Sequence, residues 1–300
     1  MSPIRIRRPG PLDLLVGVTL LLTGATGCQP WIPPFPPTPP PTPIDFARAE
    51  GLATMLFDLT DNQNVSDDEL RQRYSGNGQT AYVISTVFSG DTAPSRYMLI
   101  VNDAQRTQTV ALAGTNTGLQ WLLDFYTVPT FVTDLNAAVH GGFDLAALTV
   151  MNDAVPRLNV DYPTTIAGYS LGGAIACLLT RYLRNDGFQV DSVITFGQPR
   201  ITDPAGVATF ADVPLLRFLN NEDPVPYFPD GNYTQFGPVV VLYNGPDYAY
   251  LDPNDPLYDL VFIQPRTPLG PTDPTEHLAP PYLSRLRAKL SGANQVVYHW

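Results

Sequence analysis

The spacing of apolar residues changes along this chain in a way that separates helices from strands. From Asp45 to Leu59 apolar positions recur at helical intervals, and Ser66-Asp67-Asp68-Glu69 has the form of a capping box opening a second, short helix. The period then shortens. Ala81–Phe88, Arg96–Asn102 and Gln108–Ala113 read as three strands, the first two separated by a turn region at Gly90-Asp91 and the last two by the polar turn Asp103-Ala104-Gln105. Buried strands are expected at Thr164–Ala167, Ser192–Phe196, Leu215–Asn220 and Val239–Tyr243. Helical stretches fall at about Leu119–Phe125, Phe143–Leu158, Leu171–Arg184 and Pro281–Leu290. Strands alternating with helices predict an α/β fold built on a largely parallel sheet covered on both faces.

The first 44 residues follow neither period. Arg5, Arg7 and Arg8 precede an apolar run from Leu14 to Leu22 and then small residues ending in Gly27-Cys28, the pattern of a signal peptide over residues 1–27 and too short for a permanent span. Ala25-Thr26-Gly27-Cys28 resembles the lipobox of bacterial lipoproteins, with Ala25 where leucine is usual. The resemblance implies that Cys28 is acylated, so that several acyl chains hold the exported protein at the cell envelope membrane. Cleavage near Ala25 with plain secretion is the alternative. Residues 28–44 form a Pro-rich linker: nine of the fourteen residues from Pro30 to Pro43 are proline, which excludes helix and sheet and predicts an extended, semi-rigid spacer. The folded domain is expected over residues 45–300.

Composition narrows the function classes. The chain has 300 residues, 44% of them hydrophobic and 15% charged, which suits one α/β domain with a real core. Its net charge of -11 argues against nucleic acid, whose phosphates need a basic surface, and disfavours passive adhesion to anionic headgroups. Only Cys28 and Cys177 are present, so lipidation of the first leaves no internal disulfide.

The sharpest local feature is Gly168-Tyr169-Ser170-Leu171-Gly172, set between the strand Thr164–Ala167 and a helical run containing Ala174, Ile175 and Leu178. This is the G-x-S-x-G pattern of a nucleophile elbow, in which flanking glycines permit a cramped strand-to-helix turn that presents the serine hydroxyl. The helix start directs backbone N–H groups and the positive end of its dipole toward a developing anion. A serine hydroxyl needs a neutral imidazole to accept its proton. Of the three histidines, His140 precedes Ser170 and so breaks the order serine, acid, histidine; His277 stands just before the last helix; His299 is penultimate, where chains fray. His277 is therefore preferred. For the carboxylate that fixes its tautomer, Asp223 follows the strand Leu215–Asn220 at its carboxyl end and precedes Pro224, with Glu222, Asp203 and Asp212 as competitors.

At this point the chain resembles the class 3 lipase family over about Ala81–Leu290. Five ordered segments carry the resemblance: Ala113-Gly114-Thr115-Asn116-Thr117 with Trp121 and Asp124; Val139-His140-Gly141-Gly142-Phe143; Thr195-Phe196-Gly197-Gln198-Pro199-Arg200; Asn221-Glu222-Asp223-Pro224-Val225-Pro226; and His277 with Tyr282. The resemblance implies an α/β-hydrolase fold with Ser170 as nucleophile, His277 as base, Asp223 as orienting acid, and Thr115 and Leu171 as oxyanion donors. His140 would be a structural, internally satisfied residue. Gln235, in Tyr233-Thr234-Gln235-Phe236-Gly237, replaces a noncatalytic histidine of the family pattern, and Asn244–Pro274 has no evident counterpart. Tyr126–Ala138, with Val128, Pro129, Phe131 and Val132, occupies the family's lid position; a packed crossing loop is the competing reading. The implied reaction is ester hydrolysis through an acyl-serine intermediate, without metal or organic cofactor. Acylglycerols or similar apolar lipid esters lead as substrates. Feruloyl, phospholipid or polyester hydrolysis, or a non-catalytic surface binding protein on the same fold, are the alternatives.

Overall fold

The computed structural model describes residues 37–60, 65–86, 95–114, 129–262 and 273–299, all within one compact unit. The expected signal peptide over residues 1–27, Cys28, Thr115, Trp121, Asp124, the helix expected at 119–125 and the turn expected at Gly90-Asp91 lie outside the described residues.

Two helices lead. α1 (Phe46–Thr60) buries Phe46, Ala49, Leu52, Ala53, Leu56 and Phe57 along one stripe, as its period predicts. α2 (Asp67–Tyr74) opens on the expected capping box, with Glu69 N–H donating to Ser66 Oγ and Ser66 N–H to Glu69 Oε2. Strands β1 (Gln79–Thr86), β2 (Ser95–Asn102) and β3 (Thr107–Leu112) form an antiparallel meander. A small hairpin, β4 (Thr130–Val132) with β5 (Ala137–Val139), then leads into helix α3 (Gly141–Ala154). β6 (Thr164–Tyr169), helix α4 (Leu171–Asn185), β7 (Val190–Phe196), β8 (Leu215–Asn220), β9 (Val239–Leu242), β10 (Asp247–Leu251), helix α5 (Tyr258–Phe262), helix α6 (Ala279–Leu290) and β11 (Asn294–Gln295) follow.

Nine strands make one sheet in the order β1-β2-β3-β6-β7-β8-β9-β10-β11. Its centre, β3-β6-β7-β8-β9, is parallel, and the antiparallel meander and β10 widen the two sides. Alternation along the strands sends side chains to two cores. Tyr97, Leu99 and Val101 of β2 join α3 and α4 on one face, while Met98 and Ile100 join α1 and α6 on the other. A third cluster, between β9, β10, α5 and Tyr298, buries Leu219, Val241, Tyr258 and Phe262.

Several boundaries differ from expectation for local reasons. α3 stops at Ala154 and not at Leu158, because Pro156 has no N–H to continue the ladder. α6 starts two residues early, since Pro280 and Pro281 fall in its first turn, where helix N–H groups have no intrahelical acceptor. Asn244–Pro274, unplaced by sequence, supplies β10 and α5. Two buried arginines hold α5 down: Arg217 donates to Tyr258 Oη at 2.6 Å and lies 4.7 Å from the Phe262 ring centroid, and Arg200 donates to the Phe262 carbonyl at 2.9 Å. The end of the Pro-rich tract lies on the domain, with Thr38 Oγ1 donating to Asp255 and the Gln295 amide to the Thr38 carbonyl.

Candidate active site

The carboxyl ends of the parallel strands converge on one point. β6 ends at Tyr169, and Ser170 takes a left-handed backbone, φ 56° and ψ -125°, before α4 begins at Leu171. Such a backbone is costly for a non-glycine residue and persists only where its surroundings enforce it. Here two glycines do so by omission. A Cβ on Gly168 would sit 2.1 Å from the Gly172 carbonyl oxygen, and one on Gly172 would sit 2.0 Å from the Leu112 carbonyl oxygen of β3. Strand and helix therefore cross at backbone contact, and Ser170 N–H donates to the Phe196 carbonyl at 2.9 Å.

Asp223 follows β8, its N–H turned back onto the Asn220 carbonyl at 3.0 Å, and its side chain is fully buried. His277 ends a four-residue 3-10 turn, Pro274–His277, opened by Asp273, whose carboxylate accepts the Thr275 N–H. The three side chains meet. Ser170 Oγ lies 2.9 Å from His277 Nε2, and His277 Nδ1 lies 2.8 and 3.0 Å from the two oxygens of Asp223. With the imidazole proton on Nδ1, the ring donates to Asp223 and accepts from the serine hydroxyl, the arrangement a general base needs.

Asp223 is held by more than the imidazole. Val225 N–H donates to Oδ1 at 2.8 Å and Tyr282 Oη to Oδ2 at 2.6 Å. Burial, with the charge of Asp223 beside it, raises the Tyr282 phenol well above its usual range, so it remains a donor. Gly197, at the end of β7 with φ 56°, makes room for the pair: a Cβ there would lie 2.7 Å from His277 Cε1 and 2.8 Å from Asp223 Oδ2. Asn220 Nδ2 donates to the Glu276 carbonyl at 2.7 Å, and the Glu276 carboxylate, whose pKa burial raises, pairs with Arg285 of α6 at 2.7 Å. Read from sequence, Gly197, Asn220, Tyr282 and Arg285 stand in assigned segments and Glu276 beside His277, and none of the five has a side-chain task there. For Tyr282 a usable signal existed, since position 282 lies in the first turns of the helix that follows His277.

The competitors sit elsewhere. His299 stacks on Tyr243 at 4.2 Å between centroids. His140 is buried, caps α3 by accepting the Phe143 N–H at 3.3 Å and stacks on the Phe143 ring. Asp203 accepts the Gly206 N–H at 2.8 Å, and Asp212 pairs with Arg181 at 2.7 Å and with Arg184. Glu222 offers its carbonyl to Asp273 N–H. Gln235 donates to the Gln198 and Pro226 carbonyls and accepts from Arg217.

Leu171 is the first residue of α4, so its N–H lies among those without an intrahelical acceptor. Thr115 is outside the described residues, but Gly114 before it adjoins Ser170: a Cβ on Gly114 would fall 3.0 Å from Ser170 Cβ. In the lid position, Leu135, Ala137 and Val139 are packed into the core while Phe131 on β4 is 61% exposed, so the described part of this segment is an anchored hairpin with one outward aromatic. Among the described residues, no group of three or more His, Cys, Asp or Glu side chains is gathered to hold a metal.

Comparison with known proteins sets relatives beside this geometry. Residues 109–233, running from β3 past Asp223, match the family model described as lipase (class 3). This stretch is similar to the class 3 lipases. A secreted mono- and diacylglycerol lipase 1 of Fusarium solani is 29% identical over 178 residues, 56% of this chain and 53% of that protein. A phospholipase A1-II 1 of Oryza sativa is 28% identical over 186 residues, 51% of this chain and 47% of that one. The chain thus spans about half the length of these lipase relatives. Among solved structures, the triacylglyceride lipase of Rhizomucor miehei superposes with a TM-score of 0.58 at 20% identity, covering 79% of this chain and 94% of that one, which establishes a shared α/β-hydrolase fold.

Proposed function

We propose that this class 3 lipase relative hydrolyses carboxylic esters, acylglycerols or similar lipid esters foremost, with Ser170 as nucleophile, His277 as general base and Asp223 as the carboxylate that orients it. The observation that carries the reading is the unbroken chain of contacts from Ser170 Oγ through His277 to Asp223, at 2.9 and 2.8 Å. Ser170 Oγ attacks the ester carbonyl carbon as its proton passes to His277 Nε2. The tetrahedral oxyanion is held by the N–H groups of Leu171 and Thr115. Collapse breaks the bond to the alcohol oxygen, which takes the proton from Nε2, and water then cleaves the acyl-serine by the same relay. Asp223 stays ionised and stabilises the imidazolium.

The test is Ser170→Ala against a short p-nitrophenyl ester. Turnover should fall by about 10^4-fold or more with an unchanged melting temperature; a variant with wild-type turnover would refute the assignment. The name of the Fusarium relative favours acylglycerols, and that of the rice relative favours a second reading, phospholipids, so initial rates on emulsified diacylglycerol and on phosphatidylcholine vesicles decide between them. Export rests on the signal-like residues 1–27 and on the word secreted in the Fusarium protein's name. Attachment through an acylated Cys28, with residues 28–44 as spacer, rests on the lipobox-like pattern. Intact mass of the exported protein distinguishes acylated Cys28 from a free N-terminus.

A further inference from the structure

We propose that Tyr169, the residue before the nucleophile, is a positioning residue for the base, holding His277 against Ser170 from the nucleophile's own strand. The proposal rests on the Ser170–His277 reading and adds a component to it.

His277 has a placement problem. Its turn is four residues long and outside the sheet, so no ladder of strand hydrogen bonds fixes where the imidazole goes. A base that drifts by about 1 Å loses about two orders of magnitude in rate. Something must tie the turn to the elbow. Tyr169 reaches it twice: its hydroxyl donates to the main-chain carbonyl of His277, and its ring stacks on the imidazole at 5.0 Å between centroids and 24° between planes.

The other end of this strut is rigid. Tyr169 is the last residue of β6, in register with Phe196 of β7, and is only 4% exposed as a residue. Phe57 of α1 meets it edge-on at 4.8 Å, and Tyr282 meets it at 6.3 Å. The ring therefore has no room to swing. Because Tyr169 is bonded covalently to Ser170, nucleophile, strut and base form a short closed circuit, and the 2.9 Å separation of Oγ and Nε2 is set within it.

The stacking also acts on charge. When His277 takes the serine proton it becomes a cation lying against the face of an electron-rich phenol ring, an arrangement that attracts positive charge. The ground-state imidazole is neutral and gains less, so the contact strengthens as the transition state is approached. A residue that merely filled the core would supply neither effect.

The experiment uses Tyr169→Phe, which keeps the ring and loses the hydroxyl, and Tyr169→Leu, which loses both. On p-nitrophenyl butyrate, kcat should fall about tenfold for the first and about a hundredfold for the second, with KM within twofold of wild type in both. The rate of Ser170 labelling by a fluorophosphonate should fall in step with kcat. Melting temperature is measured alongside; should Tyr169→Leu fail to fold, Tyr169→Phe, which preserves the packing, decides alone. Wild-type kcat and labelling rate in Tyr169→Phe would overturn the proposal, as would a loss confined to KM. Ser170→Ala separates the two ideas: if it is inactive while Tyr169→Phe is unimpaired, the strut fails and the hydrolase reading stands; if Ser170→Ala retains turnover, the hydrolase reading itself fails.

Discussion

The proposed nucleophile and the proposed base reach the same point by different means. Ser170 is mounted on backbone: β6 is fixed by parallel pairing with β3 and β7, and the elbow is fixed by peptide groups in contact at Gly168 and Gly172. His277 is mounted on side chains: its 3-10 turn is tied down by Tyr169, by Asn220 to the Glu276 carbonyl, by the Glu276–Arg285 pair and by Asp223. Backbone mounting couples geometry to stability, because nothing can move without breaking the sheet. Side-chain mounting divides the work among several contacts, each removable without unfolding the domain.

That contrast can be broken by experiment. The largest effect belongs to the elbow. Gly172→Ala adds a better helix former to α4 but drives a Cβ into the Leu112 carbonyl 2.0 Å away, so β3 and α4 must separate. Stability should fall by about 3 kcal/mol and the melting temperature by about 10 °C, with activity lost in parallel. Activity lost at full stability would mean the elbow is not the backbone keystone described here. On the other side, Gly197→Ala crowds His277 Cε1 and Asp223 Oδ2 at 2.7 and 2.8 Å. It should lower kcat about a hundredfold while shifting the melting temperature by roughly a few degrees. Calorimetry and steady-state kinetics on the two variants sharpen or abolish the distinction.

The smallest effect tests the anchoring of the helix that follows the base. Lys289 of α6 is buried and donates to the Tyr243 and Gly245 carbonyls at 2.7 and 2.9 Å, and burial pushes its pKa from 10.5 down to about 8. Between those two values the unfolded chain holds a proton that the native state has shed, so this group's contribution to stability increases as pH rises through the window. The melting temperature of wild type relative to Lys289→Met should therefore climb by on the order of a few degrees between pH 8 and pH 10.5. Phenol ionisation affects both proteins alike and cancels in the difference. A flat difference would show that the ammonium is fully hydrated.

How much was legible in the sequence follows the same division. The central strands were readable because alternation or continuous burial is written into each segment, and the elbow was readable because its two glycines flank Ser170 at a fixed spacing, although one of them, Gly172, also answers to Leu112 of β3. Asp223 was readable from its place at the end of β8. The β4–β5 hairpin was not, since three-residue strands carry too little periodicity to register. β10 and α5 were not, because what holds α5 is a pair of buried arginines reaching from Arg200 and Arg217, far back in the chain. For Tyr169 and Gly197 the residue types were in view, but their partners lie 108 positions away in one case and 80 in the other.

By itself the sequence determined the alternation of strands and helices, the strained turn at Ser170, and a preferred histidine and carboxylate to follow it, because each depends on short-range sterics and on order along the chain. Only the tertiary structure decided the distances among the three side chains and which neighbours hold them. Those depend on how a mixed nine-stranded sheet brings the ends of β6, β7 and β8 and a distant 3-10 turn to one place, and closure over a hundred residues leaves no local trace.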